Sequence, residues 1–215
     1  DSFSIQMNVI KEGIDNDYEF WLKFIVIKGM LNKIDYAASV CVYNKEKRIY
    51  EFGINKDDFE MTADNSCEKV ITKFKQKKYE LKDCQKFMKD NKDKNIIVVA
   101  STGIGKTEGA LLWVGNSKTF YTLPIKVSIN AIYERIKTQD YYDKEKITIL
   151  HSDAVSELMK EDADFGDAWD KYGKSKKLSY PFTVCTIDQL FYFVFKSLGT
   201  EIFPATFKYS KIIID

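Results

Sequence analysis

The sequence predicts an α/β fold in which a parallel β-sheet carries helices on both faces. Short β-branched or aromatic runs of strand length alternate with segments of helical period over much of the chain. A Gly-containing loop also follows the first strand-like run of this alternation and leads directly into a helical segment. In such folds, ligands bind at the carboxyl ends of the strands, so we expect the functional site at that edge of the sheet.

Composition limits the possible classes of protein. The 215 residues are 45% apolar and 14% aromatic, enough to bury the core of one domain, or of one domain and a fragment of another. The 33 basic and 32 acidic side chains give a net charge of +1, so any nucleic-acid binding must use a local groove. Four cysteines lie far apart without C-x-x-C spacing, which argues against a zinc ribbon and a disulfide framework and favours a cytoplasmic location. No signal peptide or membrane span is predicted.

The first helix is predicted from Tyr18 to Ser39, where apolar residues recur at three- and four-residue steps and Gly29 is a weak point. Asp35, near the end of this helix, is either a surface carboxylate or a metal ligand of a helical phosphohydrolase domain. Residues 40–80 mix strand-like pieces with Asn, Asp and Lys clusters and are interpreted as an interdomain connection. A second helical segment, Leu81–Met88, carries Gln85, whose amide either faces solvent or pairs with an adenine edge.

The strand predicted at Ile96–Val99 leads into a phosphate-binding loop, Ala100–Thr107, and then into a helix over Glu108–Trp113. The loop departs from the pattern G-x-x-x-x-G-K-[ST] at one position, because Ala100 stands where the first Gly is usual. A Gly-rich turn without a ligand is the alternative. Gly-Lys-Thr at this spacing after an aliphatic strand favours phosphate binding.

Each residue type of this loop suits a nucleoside triphosphate. Backbone N–H groups from Thr102 to Lys106 can surround the β-phosphate at the positive end of the helix dipole, and Gly103 and Gly105 let the backbone come close. Lys106 reaches the β- and γ-phosphates, and the Thr107 hydroxyl ligates Mg²⁺. We therefore predict ATP and Mg²⁺ as ligands, held by Gln85, Thr102, Gly103, Ile104, Gly105, Lys106, Thr107 and Glu108.

The segments after the loop continue the alternation of strands and helices. Strands are predicted at Lys118–Pro124, Ile147–Ser152, Tyr180–Ile187 and Lys211–Asp215, with helices at Val127–Ile136 and Asp188–Gly199 and a polar insertion over Asp153–Lys177.

The last strand ends in Asp215, and an aliphatic strand ending in Asp is the usual form of the second nucleotide motif. Its carboxylate would hold the magnesium ion through water, which makes Asp215 catalytic together with Lys106; the alternative is a strand that simply ends in Asp. The base that orients the attacking water is normally a Glu directly after this Asp, and the sequence given stops there. We therefore expect this chain to bind nucleotide and to hydrolyse it poorly.

Five segments in this order resemble the motifs of the first RecA-like domain of superfamily 2 helicases, over residues 81–215: Gln85, Ala100–Glu108, Thr122-Leu123-Pro124, Thr186-Ile187-Asp188-Gln189-Leu190 and Lys211–Asp215. More narrowly, Leu123–Arg135, His151–Ala154 and Thr186–Gln189 resemble the CRISPR-associated helicase/nuclease of type I interference systems. That family begins with an HD nuclease domain, and Gly29–Ser39 looks like its last helix. The family's histidines and its His-Asp pair would lie before Asp1 and are absent from the sequence given.

The resemblance implies a motor that loads on the displaced single strand of an RNA-guided multi-subunit surveillance complex, pulls it with ATP and feeds it to the nuclease. It implies the end of the HD domain at residues 1–40, where Asp35 helps to bind a divalent transition metal, a connection at 41–80 and the first RecA-like domain at 81–215. Contacts to the single-stranded DNA backbone would come from Pro124, Lys126, Thr186, Asp188 and Gln189. The alternatives are a non-motor nucleotide-binding switch and a superfamily 2 motor of a restriction system.

Overall fold

The computed structural model describes residues 18–39, 41–44, 49–52, 56–160, 165–191 and 199–215. In chain order the described elements are α1 (Tyr18–Ala38), β1 (Cys41–Asn44), β2 (Ile49–Phe52), α2 (Lys56–Phe59), α3 (Ser66–Gln76), α4 (Asp83–Asp90), α5 (Lys106–Val114), β3 (Lys118–Leu123), α6 (Lys126–Thr138), β4 (Ile147–Leu150), α7 (Ala154–Leu158), α8 (Phe165–Lys176), β5 (Phe182–Thr186), α9 (Ile187–Leu190), α10 (Ile202–Phe207) and β6 (Ser210–Ile214).

The chain forms two compact units. The first is taken from Asp1–Phe59 and Leu190–Lys208, and the second from Glu60–Gln189 and Tyr209–Asp215. These units differ from the predicted segments, since residues 60–80 of the predicted connection belong to the second unit. Within the described ranges, none of the helices combines the length and the apolar character needed to span a bilayer.

In the first unit, β1 and β2 form an antiparallel hairpin and α1 packs against α10. Gly29 lies at the helix contact, because a Cβ added there would come within 2.0 Å of the Glu201 carbonyl oxygen and 2.6 Å of Ala205 Cβ. The Glu201 carboxylate also pairs with Lys28 and accepts a hydrogen bond from Asn32 Nδ2 at 3.4 Å. Gly29, predicted as a weak point of the helix, is therefore the place where α1 accepts the backbone of its neighbour.

The second unit contains a parallel sheet with the strand order β4-β5-β3-β6. Strands β3, β4 and β5 are buried along their whole length, which explains why they are β-branched or aromatic at successive positions rather than at alternate ones. β6 is an edge strand of this sheet, and Ile214 near its end is 74% exposed. The predicted α/β fold with a parallel sheet and flanking helices is thus confirmed, and the carboxyl ends of all four strands lie at one edge.

The predicted strand at Ile96–Val99 is not part of this sheet. Residues 95–100 are not assigned to a strand, and no described strand pairs with them. Ile96 and Val98 pack against the core, whereas Ile97 and Val99 are 93% and 97% exposed. Alternation of this kind is typical of an extended backbone, which β-branched residues favour. Pairing with a sheet also requires a neighbouring strand, and the sequence of the segment alone does not determine that neighbour.

Two helices hold α5, the helix at the end of the loop Ala100–Thr107. Ser66, at the start of α3, donates its hydroxyl to the carbonyl oxygens of Leu111 at 2.7 Å and Gly115 at 2.9 Å, at the end of α5. Gly109 lets α4 approach, because a Cβ there would lie 2.6 Å from Met88 Sδ. The helix α3 lies within residues 40–80, which were predicted as an interdomain connection. Through the hydrogen bonds of Ser66, it holds the end of α5 in place.

The remaining strands lie where they were predicted, with ends that differ by one or two residues, and α6 is longer at both ends than the predicted helix. The polar insertion predicted over Asp153–Lys177 contains the helices α7 and α8. The helix predicted at Asp188–Gly199 overlaps α9 at its start, and residues 192–198 lie outside the described part of the chain.

Candidate nucleotide-binding site

Two glycines shape the loop Ala100–Thr107. Gly103 and Gly105 have φ angles of +80° and +92°, in the left-handed region that glycine adopts without strain. An added Cβ at Gly103 would meet no atom within 4 Å, so the backbone angle alone requires glycine there. At Gly105 an added Cβ would also lie 2.3 Å from Gln85 Nε2. Gly105 is thus required by its backbone angle and by the close approach of Gln85.

Gln85 ties the loop to α4. Its side chain is 2% exposed, its Oε1 accepts from the backbone N–H of Lys82 at 3.0 Å, and its Nε2 donates to the carbonyl oxygen of Gly105 at 3.1 Å. Both ends of the amide are therefore engaged within the protein. Its pairing with an adenine edge stays a prediction.

Lys106 bridges the start of the loop to the start of α5. Its ammonium donates to the carbonyl oxygens of Ala100 at 3.0 Å and Ser101 at 3.2 Å. The next residue, Thr107, is 9% exposed. These contacts hold a positive charge at the centre of the loop, where the sequence predicts phosphate binding.

Asp215 is fixed at the end of β6 by contacts with β3. Its backbone N–H donates to the Thr122 carbonyl at 3.1 Å, and its Oδ2 accepts from the Tyr121 hydroxyl at 2.6 Å. Burial raises the pKa of Tyr121, the Asp215 carboxylate raises it further, and the Thr107 hydroxyl lowers it. The Tyr121 hydroxyl therefore stays protonated at neutral pH and donates to Asp215.

Residues of the second unit that lie far apart in the sequence meet at one cavity. Lys106, Thr107 and Asp215 line a cavity of about 800 Å³ together with Gln85, Thr102, Gly103, Gly105 and Glu108. A smaller cavity of about 240 Å³ shares Lys106 and Asp215 with it and is also lined by Tyr121. The larger volume lies in the range of small-molecule binding pockets. Of the residues predicted to bind nucleotide, Ile104 does not line either cavity.

The residues of the larger cavity that were not predicted from the sequence include Phe74, Tyr79, Arg135 and Tyr141. Tyr79 is 62% exposed, and its ring meets that of Phe74 edge-on at 6.0 Å. Arg135 forms an ion pair with Glu108, which is 6% exposed, so Glu108 is occupied by a protein partner. A Tyr within a Lys- and Glu-rich stretch shortly before Gln85 was the available sequence signal for this wall, whereas the Arg135 contact depends on tertiary packing.

The predicted DNA contacts lie at the same edge of the sheet. Leu123, the last residue of β3, pairs with Thr186, the last residue of β5, and brings the segments after the two strands together. Pro124 follows β3 and Lys126 begins α6, whereas Asp188 and Gln189 lie in α9, directly after Thr186. Thr186 is 8% exposed, whereas Pro124, Lys126 and Asp188 lie on the surface.

Lys126 is held by a polar network at this edge. Its ammonium pairs with Asp153 Oδ2 at 2.6 Å, and the backbone N–H of Asp153 donates to His151 Nδ1 at 3.2 Å. His151 Nε2 lies 3.1 Å from Asn130 Oδ1. Burial lowers the pKa of His151, which is therefore neutral at pH 7. The network links the start of α6 to the turn after β4.

The two predicted metal sites differ in what surrounds them. The Thr107 hydroxyl and the Asp215 carboxylate are hard oxygen donors on one cavity, and Mg²⁺ is usually held by one or two protein oxygens together with substrate phosphates. The donor set therefore fits Mg²⁺. Asp35 is exposed on α1, and the described side chains contain no group of three His, Cys, Asp or Glu that could hold a metal. A metal-binding role for Asp35 stays a prediction.

A parallel four-stranded sheet with flanking helices, and a cavity at the carboxyl end of β6, place the second unit in a class, the α/β proteins of RecA-like fold. Within this class the chain is similar to the CRISPR-associated nuclease/helicase Cas3 of Methanothermobacter thermautotrophicus, at 27% identity over 196 residues, or 89% of this chain and 22% of that protein. It is also similar to a provisionally named CRISPR-associated nuclease/helicase Cas3 of Methanocaldococcus jannaschii, at 30% identity over 128 residues, or 54% of this chain and 17% of that protein.

The chain therefore spans about a fifth of the length of these relatives. No protein-family model and no solved structure matches it. The two similarities indicate a Cas3-like, CRISPR-associated origin.

Proposed function

We propose that this chain binds ATP with Mg²⁺ as the first motor domain of an ATP-driven translocase of single-stranded DNA joined to a metal-dependent DNA nuclease. The observation that carries the proposal is the meeting of Lys106, Thr107 and Asp215 at one cavity. The loop and the strand end are far apart in sequence and supply the cation, hydroxyl and carboxylate that a magnesium nucleotide requires.

Each residue has a defined role in this proposal. The Lys106 ammonium, which bonds the carbonyls of Ala100 and Ser101, exchanges them for phosphate oxygens when ATP binds. The positive φ angles of Gly103 and Gly105 shape the loop around the phosphates. Thr107 and Asp215 would hold Mg²⁺, which when bound neutralises charge on the β- and γ-phosphates.

Tyr79 is the residue proposed to contact the base. Its ring is 62% exposed on the wall of the same cavity, and Phe74 supports it from one edge. A purine can stack on such a face at little cost in side-chain entropy, because Tyr has few rotatable bonds. The stack selects a flat base without selecting adenine over guanine.

Calorimetric titration of the protein with Mg²⁺-ATP tests the site. Replacing Lys106 by Ala removes charge-assisted hydrogen bonds worth about 2–3 kcal/mol, so we expect affinity to fall by about 30- to 150-fold. Lys144→Ala is the matched control, because Lys144 is exposed and does not line the described cavities. Equal affinities for the Lys106→Ala and Lys144→Ala variants would refute the proposed site.

The DNA and nuclease parts of the proposal rest on two supports. The relatives carry names that state both nuclease and helicase, and the polar residues after β3 and β5 lie at the same edge of the sheet as the carboxyl end of β6. Hydroxyls, backbone N–H groups and helix N-termini at such an edge suit a phosphate backbone, so a net charge of +1 is compatible with DNA binding.

In this proposal an RNA-guided multi-subunit complex presents the single-stranded DNA. A divalent transition metal would be the cofactor of the nuclease. A nucleotide-binding switch is separated from the motor by the effect of single-stranded DNA on the rate of ATP hydrolysis. A motor of a restriction system differs from the proposed one in lacking an HD nuclease domain ahead of the residues described.

A further inference from the structure

We infer that Tyr121 is a positioning residue for the magnesium site, holding the Asp215 carboxylate in the orientation that a magnesium nucleotide needs. The inference rests on the proposed function, because it concerns how the same site is built. Tyr121 lies in the middle of β3, and neither the Gly-Lys-Thr loop nor the aliphatic strand ending in Asp indicates its involvement.

The backbone fixes the place of Asp215 but leaves its side chain free to rotate. Its N–H donates to the Thr122 carbonyl at 3.1 Å, which continues the pairing of β3 with β6 to the end of the strand. The strand itself lies at the edge of the sheet, and Ile214 is 74% exposed. A carboxylate at such an edge has several rotamers open to it, so another contact must select one.

The Tyr121 hydroxyl makes that contact. It donates to Asp215 Oδ2 at 2.6 Å, and the side chain is 1% exposed, so packing holds the ring in one place. A hydrogen bond from a fixed donor to a charged acceptor is short and directional. It engages one carboxylate oxygen and leaves the other to bind the metal or a metal-bound water.

Tyr121 also connects the two protein groups proposed to hold the metal. The Thr107 side chain interacts with the Tyr121 hydroxyl, and Thr107 lines the larger cavity while Tyr121 lines the smaller one. The hydroxyl of Thr107 and the carboxylate of Asp215 therefore share one buried neighbour. Partners of this kind around a metal ligand typically change metal affinity or activity by about 10- to 100-fold when they are removed.

The test measures nucleotide binding as a function of Mg²⁺ concentration, with a fluorescent ATP analogue and with EDTA as the zero point. Four forms of the protein are compared with the unsubstituted chain: Tyr121→Phe, Asp215→Asn, the double variant, and Tyr142→Phe as control. Tyr142 is fully buried and accepts a hydrogen bond from the backbone N–H of Asp64 at 3.0 Å. Its variant loses a buried hydroxyl contact away from the described cavities.

We expect Tyr121→Phe to raise the Mg²⁺ concentration for half-maximal binding about tenfold and to leave binding in EDTA unchanged. The same substitution adds nothing in the Asp215→Asn background, because the hydroxyl acts through that carboxylate. Tyr142→Phe keeps the Mg²⁺ dependence of the unsubstituted chain. Each titration is run well below the unfolding temperature measured for that variant, so loss of stability does not enter the result.

Three results would overturn the inference. A Tyr121→Phe variant with unchanged Mg²⁺ dependence would show that the hydroxyl does not position the carboxylate. Equal weakening with Mg²⁺ and in EDTA would assign Tyr121 a purely structural role, and the proposed function would stand in both cases. Absence of nucleotide binding by the unsubstituted chain would refute the proposed function, and the inference with it.

Discussion

Replacing Gln85 by Ala separates two roles for this side chain, a tether of the phosphate-binding loop and a reader of adenine. In the structure its Oε1 and Nε2 both bond the backbone, at Lys82 and Gly105. A tether acts on the loop and so affects every nucleotide that binds there. A reader acts only on nucleotides that carry adenine.

The structure sets the expected size of the effect. Two hydrogen bonds of about 1 kcal/mol each are lost, so the free energy of unfolding should fall by about 2 kcal/mol and the unfolding temperature by roughly 4–8 °C. If the loosened loop transfers this whole loss to binding, affinity falls by up to about 30-fold. Because the loop is proposed to contact the phosphates and not the base, we expect the same factor for ATP and GTP.

The assay is thermal unfolding together with calorimetric titration by ATP and by GTP. Gln139→Ala is the matched control, since Gln139 lines the same cavity and its side chain makes an exposed hydrogen bond with Lys77 at 2.7 Å. We expect this control to change stability by less than about 0.5 kcal/mol. Loss of ATP affinity with GTP affinity intact, and with no change in unfolding temperature, would refute the tether and support adenine reading.

Two further predictions concern the polar network at the sheet edge. Burial lowers the pKa of His151 below its ordinary value of 6.5, although the negative charges of Asp153 and Glu157 act in the opposite direction. His151 therefore binds a proton more tightly in the unfolded chain than in the folded one. Stability should therefore fall as the pH drops from 7.5 to 5.5, and His151→Gln should show a smaller fall in urea unfolding; equal slopes would contradict this. Asp153→Asn removes the partner of Lys126, so single-stranded DNA should bind several-fold more tightly. The salt dependence of binding should become steeper by about one phosphate contact. Unchanged binding would contradict the proposed role of Lys126.

Local chemistry made much of the fold and part of the site predictable. The loop residues Gly103 and Gly105 were predicted from their type and spacing, and both have the positive φ angles that favour glycine. Strands β3, β4 and β5 were predicted from β-branched and aromatic runs, because strands of a parallel sheet are buried on both faces. Asp215 was predicted to act with Lys106 because an aliphatic strand ending in Asp is the usual form of the second nucleotide motif, and both residues line one cavity.

Features that depend on distant partners were not predictable in the same way. Gly29 was predicted as a weak point of α1 because glycine destabilises a helix. Its contact with the Glu201 carbonyl was not predictable, because Glu201 lies far along the chain. Tyr121 was predicted only as part of the strand Lys118–Pro124, because its donor role depends on where β6 ends. The helix α3 did carry a local signal, since Cys67, Val70 and Phe74 recur at helical spacing, but Asn and Lys residues around it indicated a connection.

The rate of ATP hydrolysis with and without single-stranded DNA tests the central claim most directly, measured on the full-length protein that carries this chain. We predict that DNA raises the rate many-fold, that Lys106→Ala abolishes hydrolysis, and that Lys144→Ala behaves as the unsubstituted protein. A rate that DNA leaves unchanged, in a protein that binds and hydrolyses ATP, would contradict the motor and favour a nucleotide-binding switch.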